Sequence, residues 1–167
     1  QFIKVARKHP QKTLVADYMS LFQKVVAQEV SFEIKEAPLQ EVLALRHKVM
    51  WPQMDLDYVK IDNDEDGMHL GLYDQGQLIS VVSLFATDKD VQFRKFATKV
   101  TDQNQGYGSK LLNYTFMIMK NKNYNRIWCN ARVEKSGYYK RFGLKETDDV
   151  FEKEGQKYVI MELKNHQ

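Results

Sequence analysis

The stretch "TDQNQGYGSKLL", residues 101–112, places Gly106 and Gly108 two apart, between a polar turn and an apolar helical run. Glycine lets backbone approach a ligand with no Cβ in the way. N–H groups at a helix start point outward, where the helix dipole adds partial positive charge. Such a turn suits an anion, and a pyrophosphate in particular. Two nucleotide motifs fail on named residues. The dinucleotide pattern G-x-G-x-x-G needs glycine where Leu111 stands, and an acidic residue at the end of the next strand, which here ends at Asn130. A phosphate-binding loop of the G-x-x-x-x-G-K-[ST] type needs a glycine at the position of Gln103. What remains is Q-x-x-G-x-G, formed by Gln103, Gly106 and Gly108. Taken alone, it is equally well a plain tight turn.

Other residue groupings carry less. "DNDEDG", residues 62–67, matches the first half of a calcium loop, but its twelfth position is Tyr73 where a bidentate Glu belongs. The simpler expectation is a solvated acidic loop. A further one is that Asp55, Asp57, Asp62, Asp64 and Asp66 lie beside a cleft and attract a cationic amine. The histidines show no metal-ligand spacing, so no metal is expected. Cys129, between Trp128 and Asn130 on an apolar strand, is expected to be a buried thiol. Met117 and Met119 belong to an apolar helix and are expected in its core.

The rest of the chain must position these groups. It has 167 residues, 43% hydrophobic and 28% charged, which fits one globular domain with a real core. A net charge of +3 without a dense basic stripe argues against nucleic acid. No apolar run approaches the roughly 18 to 20 residues that span a bilayer, so no membrane role is expected. A single cysteine allows no internal disulfide framework, which fits a reducing, cytoplasmic setting. The first residue is Gln1 rather than Met, so the natural start is open, and a removed targeting segment remains compatible with it.

Apolar spacing predicts an amphipathic helix over 11–29, within an amino-terminal extension of residues 1–30. It could cap the core or pair with a partner, and a homodimer is one arrangement it allows. The domain proper is expected over 31–167. "SFEIKEA" alternates as a strand, and "PLQEVLALRHKVM" reads as a helix opened by Pro38. "MHLGLYDQGQLISVVSLFA" gives two strands around Asp74-Gln75-Gly76, and "VQFRKFAT" a third. A helix begins at the glycines, "RIWCNA" is a strand, "EKSGYYKRF" a short helix, and two further strands flank Glu154-Gly155. That order predicts an α/β (α+β) layer around one central sheet.

With these flanks, the glycine turn resembles the Gcn5-related N-acetyltransferase (GNAT) superfamily. The family's Q/R-x-x-G-x-G/A follows a strand and opens a helix, as Gln103, Gly106 and Gly108 do here. Asn130-Ala131-Arg132 match its N-A-R, and Tyr139, Gly143 and Leu144 match Y-x-x-x-G-F, with Leu in place of Phe. The resemblance runs from about residue 32 to 165 and is carried by 91–112 and 126–144.

It implies a mixed, mainly antiparallel sheet flanked by helices, with two splayed strands forming a V-shaped cleft for acetyl-CoA. The pyrophosphate would sit on backbone amides of about Gln105, Gly106, Tyr107, Gly108 and Ser109, in a turn built with Gln103 and Asn104. The pantetheine arm would pair with the backbone edge at Phe96, Ala97 and Thr98, and meet Asn130 on its other side. Tyr139 would protonate the leaving thiolate, and N–H groups near Ala97 and Thr98 would stabilise the oxyanion. The implied activity is acetyl transfer to a primary amine, a small molecule or peptide, by direct attack.

The general base stays open. Many family members carry a glutamate on the strand before the glycine turn. "VQFRKFAT" has no carboxylate, and strand alternation puts Gln92 and Arg94 on one face, Phe93 and Lys95 on the other. That gap leaves a rival, a non-catalytic CoA-binding or interaction module on the same fold.

Overall fold

The structure, a computed structural model, describes residues 16–21 and 32–165. The chain divides into two compact units, 1–33 and 34–167. In the first, 16–21 are helical; the remainder of the helix expected over 11–29 lies outside the described residues.

The second unit follows the element order read from the sequence. β1 (Phe32–Glu36), whose first two residues fall before the division, leads into α1 (Leu39–Met50). Pro38 caps α1 with φ −57°, Glu41 sits in its first turn, and His47 and Lys48 in its last, as the helix dipole favours. Two 3₁₀ turns, Leu56–Val59 and Asp64–Asp66, precede β2 (Met68–Asp74), β3 (Gln77–Thr87) and β4 (Asp90–Thr98). Then come α2 (Tyr107–Asn121), β5 (Arg126–Arg132), α3 (Ser136–Lys140), β6 (Lys145–Lys153) and β7 (Gln156–Lys164). The hairpin turns Gln75-Gly76 and Glu154-Gly155 hold both residues at positive φ, which matches the twist of the strands they join.

The strands form one seven-stranded sheet in the order β1-β2-β3-β4-β5-β7-β6. The pairs β2/β3, β3/β4, β5/β7 and β6/β7 are antiparallel, and β4/β5 is parallel. The expected α/β sheet, mainly antiparallel with helices on its faces, is the one observed. On one face, Val42 and Leu45 of α1 pack with Tyr73, Val81 and Ala97. On the other, α2 buries Leu111, Leu112, Phe116 and Met119, with Phe116 edge-on to Phe93 of β4 at 5.5 Å. Met119 is 2% exposed, but Met117 is 51% exposed and lies outside the core expected for both. Two residues along a helix turn a side chain by about 200°, so the pair cannot share a face.

The acidic loop also departs from its expectation. Asp64 is buried, with both carboxylate oxygens 2.9 Å from the guanidinium of Arg46, which is fully buried. Arg46 also donates to Ser83 Oγ (2.7 Å) and the Val59 carbonyl (3.2 Å). His69 spans Ser83 Oγ and the Asp64 carbonyl. The Asp64 carbonyl can only accept, so His69 Nε2–H donates to it, and Nδ1 lies 2.7 Å from Ser83 Oγ. Thus α1, the 59–66 loop, β2 and β3 are pinned together. Among the described residues no group of three His, Cys, Asp or Glu is arranged for a metal ion. Nor is any helix long and apolar enough to cross a membrane.

Candidate active site

The pairing of β4 with β5 is short. Only Asp90, Val91 and Gln92 lie against Arg126, Ile127 and Trp128. Beyond them β4 stays with β3 as far as Thr98, and β5 stays with β7 as far as Arg132. The two strands therefore part from Phe93 and Cys129 onward, and the wedge opens toward the start of α2.

A bulge shapes β4 along this wedge. Val81 opposes Ala97 while Ser83 opposes Arg94, so β4 carries one residue more than β3. The irregularity sits at Lys95, whose φ is +52°. It overturns the simple alternation: Lys95 does not share the face of Phe93 but feels the charges of Arg46, Asp64 and Lys153 on the α1 side. Past the bulge, Lys99 N–H donates to the Ile79 carbonyl (2.8 Å). Antiparallel alternation then assigns the N–H of Ala97 to β3 and that of Thr98 to the open side. Of the two positions expected to offer an N–H, only Thr98 is free to do so.

The glycine turn closes the wide end of the wedge. Gly106 caps α2 at φ +87°, a left-handed conformation that favours glycine, and a Cβ there would meet nothing within 4 Å. Lys110 N–H donates to the Gly106 carbonyl (3.1 Å). The N–H groups of Tyr107, Gly108 and Ser109 precede that bond and lack an intrahelical acceptor. Gly108 plays a different part from the one its motif suggests. A Cβ there would stand 2.7 Å from Phe96 Cζ and 3.1 Å from Thr98 Oγ1, so its smallness lets α2 pack on β4. The side chains of the turn are used internally. Gln103 Nε2 donates to the Thr98 carbonyl (2.9 Å), Gln105 Nε2 to the Thr101 carbonyl (3.3 Å), and Tyr107 OH to Asp74 Oδ2 (2.8 Å). Asn104 is exposed with φ +64°.

The tyrosines of α3 cover the wedge on the α2 side. Tyr139 lies against Phe93, ring centroids 5.7 Å apart, where β4 leaves β5. Burial, with the neighbouring Cys129 and Tyr138, pushes its phenol above the ordinary tyrosine range. Cys129 is buried as expected, its thiol pushed up to about 12 by burial, and so is no nucleophile. Tyr138 points elsewhere. It stacks on Phe96 at 6.3 Å, and its hydroxyl is 3.1 Å from Ser109 Oγ in the first turn of α2. The sequence motif gave no hint of that link. Asn130 is exposed on β5, opposite Ile160, on the face away from Cys129. Phe96, Ala97, Thr98, the 103–109 turn, Tyr138 and Tyr139 thus border one wedge, with Asn130 on its other strand.

Residues 34–165 match the family model for the acetyltransferase (GNAT) domain. An uncharacterized N-acetyltransferase of Bacillus subtilis (strain 168), YitI, is 28% identical over 129 residues, covering 72% of this chain and 87% of that protein. The fold is similar to that of a putative N-acetyltransferase from Lactobacillus plantarum, with a TM-score of 0.72 and 19% identity over 80% of this chain and 98% of the other. A Bacillus subtilis acetyltransferase in complex with CoA gives a TM-score of 0.62 at 18% identity over 81% and 98%. At these identities the solved structures speak for the fold, while the match across most of the chain carries the family: this protein is a member of the GNAT N-acetyltransferases.

Proposed function

We propose that this protein transfers the acetyl group of acetyl-CoA to the nitrogen of a primary amine by direct attack. The observation that carries it is the wedge between β4 and β5, with a helix start offering free N–H groups at one end. The pyrophosphate lies on the amides of Tyr107, Gly108 and Ser109, and the clearance at Gly106 admits it. The pantetheine arm runs along the outward backbone at Phe96 and Thr98 toward the narrow end, with Asn130 across from it. A structural neighbour with the same fold is solved in complex with CoA, which supports CoA as the ligand.

The thioester then reaches the narrow end, beside Tyr139. The amine nitrogen attacks the carbonyl carbon, forming the C–N bond, and the oxyanion takes the Thr98 N–H. As the C–S bond breaks, the Tyr139 hydroxyl gives its proton to sulfur and is reprotonated from solvent; the nitrogen loses its surplus proton to water. The raised phenol keeps Tyr139 protonated at working pH. The desolvation that raises it also raises the proton affinity of a thiolate left in the same place, so the two stay matched.

The lack of a carboxylate on β4 beyond Asp90 favours a second reading, a CoA-binding module without turnover. Thiol release from acetyl-CoA with a panel of amines separates the two. Amine-dependent release supports transfer, whereas binding with no release on any amine supports the module.

A further inference from the structure

On the α2 side the wedge is roofed by Phe93, Phe116, Tyr138, Tyr139 and Phe142, which touch ring to ring. An acceptor must therefore approach from the α1 side. The sheet register says what faces it there. Arg94 stands opposite Ser83, whose hydroxyl is held by Arg46 of α1. Gln92 stands beside Trp128, and Asn130 and Arg132 follow on the same face of β5. Arg132 lies opposite Tyr158, Tyr158 opposite Phe151, and Lys153 two residues further along β6. The bulge adds Lys95 to this side, close enough to Arg94 and Lys153 for their charges to act on it.

This face is basic and underpaired. Among the described residues no carboxylate forms an ion pair with Arg94, Lys95 or Lys153. The nearby acid, Asp64, already spends both oxygens on Arg46 and accepts the Ile61 N–H (2.8 Å). Arg132 is partly answered by Glu134 at 3.8 Å. Lys95 is half-buried, and its desolvation, with Arg94, Arg46 and Lys153 around it, lowers its pKa. Holding like charges together and out of water is unfavourable unless an anion joins them. Of the five acidic residues expected to draw in a cationic amine, Asp64 is buried on Arg46 and Asp57 is paired with Lys60, while Asp55, Asp62 and Asp66 are exposed.

We infer that the acceptor is an amine that also carries an anionic group, a carboxylate or a phosphate, bound by Arg94, Lys95 and Lys153 on the α1 side of the wedge. The inference rests on acetyl transfer to an amine as proposed above. The same cations answer the missing base. An ammonium placed near them is disfavoured relative to the free amine, so the acceptor gives up its proton to water without a carboxylate on β4. The stacked rings of Phe151 and Tyr158, 5.3 Å apart, form an apolar wall beside the cluster.

The test measures thiol release on matched amines: phenylalanine against phenethylamine, O-phosphoethanolamine against ethanolamine, and spermidine as a cationic arm. At least one anionic member should exceed its neutral match in kcat/KM by about tenfold or more, the scale of a charge-assisted contact. The carboxylate and phosphate arms identify which anion it is. Lys95→Asn, which suits the left-handed backbone at that position, and Lys153→Gln, on an exposed strand, should each bring that ratio toward one. Added salt should do the same. Equal rates within both pairs, or a preference for spermidine, would overturn the inference while leaving acetyl transfer standing. No amine-dependent release on any arm would overturn both.

Discussion

Tyr139 and Tyr138 are neighbours in sequence, yet they serve opposite ends of the wedge. Tyr139→Phe keeps the ring on Phe93 but removes the proton that the proposed mechanism gives to sulfur. Loss of a general acid is typically worth about 10² to 10⁴-fold, so kcat should fall on that scale with KM for acetyl-CoA nearly unchanged. Steady-state kinetics would reject the role if kcat stayed within a few-fold. Tyr138→Phe loses the contact with Ser109 instead. A single neutral hydrogen bond is worth about 1 kcal/mol, so KM for acetyl-CoA should rise roughly fivefold while kcat holds. The sign of the Tyr139 shift fixes the pH dependence. Its pKa lies above the ordinary tyrosine value of 10, so the acid stays protonated below that. An alkaline limb in kcat due to this residue should appear only above about pH 10. A limb that lies lower and survives Tyr139→Phe would belong to another group.

At the scale of elements, the two glycines of one motif separate. Gly106→Ala puts a Cβ into open space but at φ +87°, a cost of about 1–2 kcal/mol in stability. Gly108→Val drives a side chain into Phe96 and Thr98. Overpacking of this sort costs about 1–3 kcal/mol. Because it levers the first turn of α2 off β4, acetyl-CoA affinity should also drop tenfold or more. Denaturant melts beside calorimetric titration would show both effects. Wild-type affinity in folded Gly108→Val would place the pyrophosphate elsewhere. The Arg46–Asp64 pair ties α1 and the loop to the sheet. Asp64→Asn leaves a fully buried guanidinium without its counter-charge and should cost about 3–5 kcal/mol. Burial alone would raise the Asp64 pKa; the hydrogen bonds from Arg46 and Ile61 outweigh it, and the net shift is downward. Its stabilising contribution is therefore complete above the ordinary carboxylate range and is lost as pH falls through the lowered value. The elements themselves were legible, because period-two and period-3.6 patterns and the Gln75-Gly76 and Glu154-Gly155 turns are local signals. The bulge at Lys95 was not: the extra residue is defined only against β3, so "VQFRKFAT" alone read as a plain strand and put Lys95 on the wrong face.

For the molecule as a whole, a ligand that binds only the folded state raises its apparent stability. Millimolar acetyl-CoA should lift the melting temperature by several degrees, and NAD or ATP by less. No shift, with no calorimetric binding, would remove the cofactor assignment. Sequence alone determined the family, the order of elements and the glycine turn, since each depends on residues close together in the chain. The turn's helix start, for instance, with Gly106 at positive φ and the Lys110 N–H on its carbonyl, is set within 106–110. Only the tertiary structure decided what those pieces face. That Tyr138 reaches Ser109, that Asp64 is held by Arg46, and that Lys153 joins Arg94 and Lys95 on one side of the wedge all bring together residues 18 to 59 positions apart. Such contacts are set by strand register and by one bulge. The physical reason is that a charge's partner is chosen by whichever group the packed sheet leaves beside it, and the local sequence holds no record of that choice.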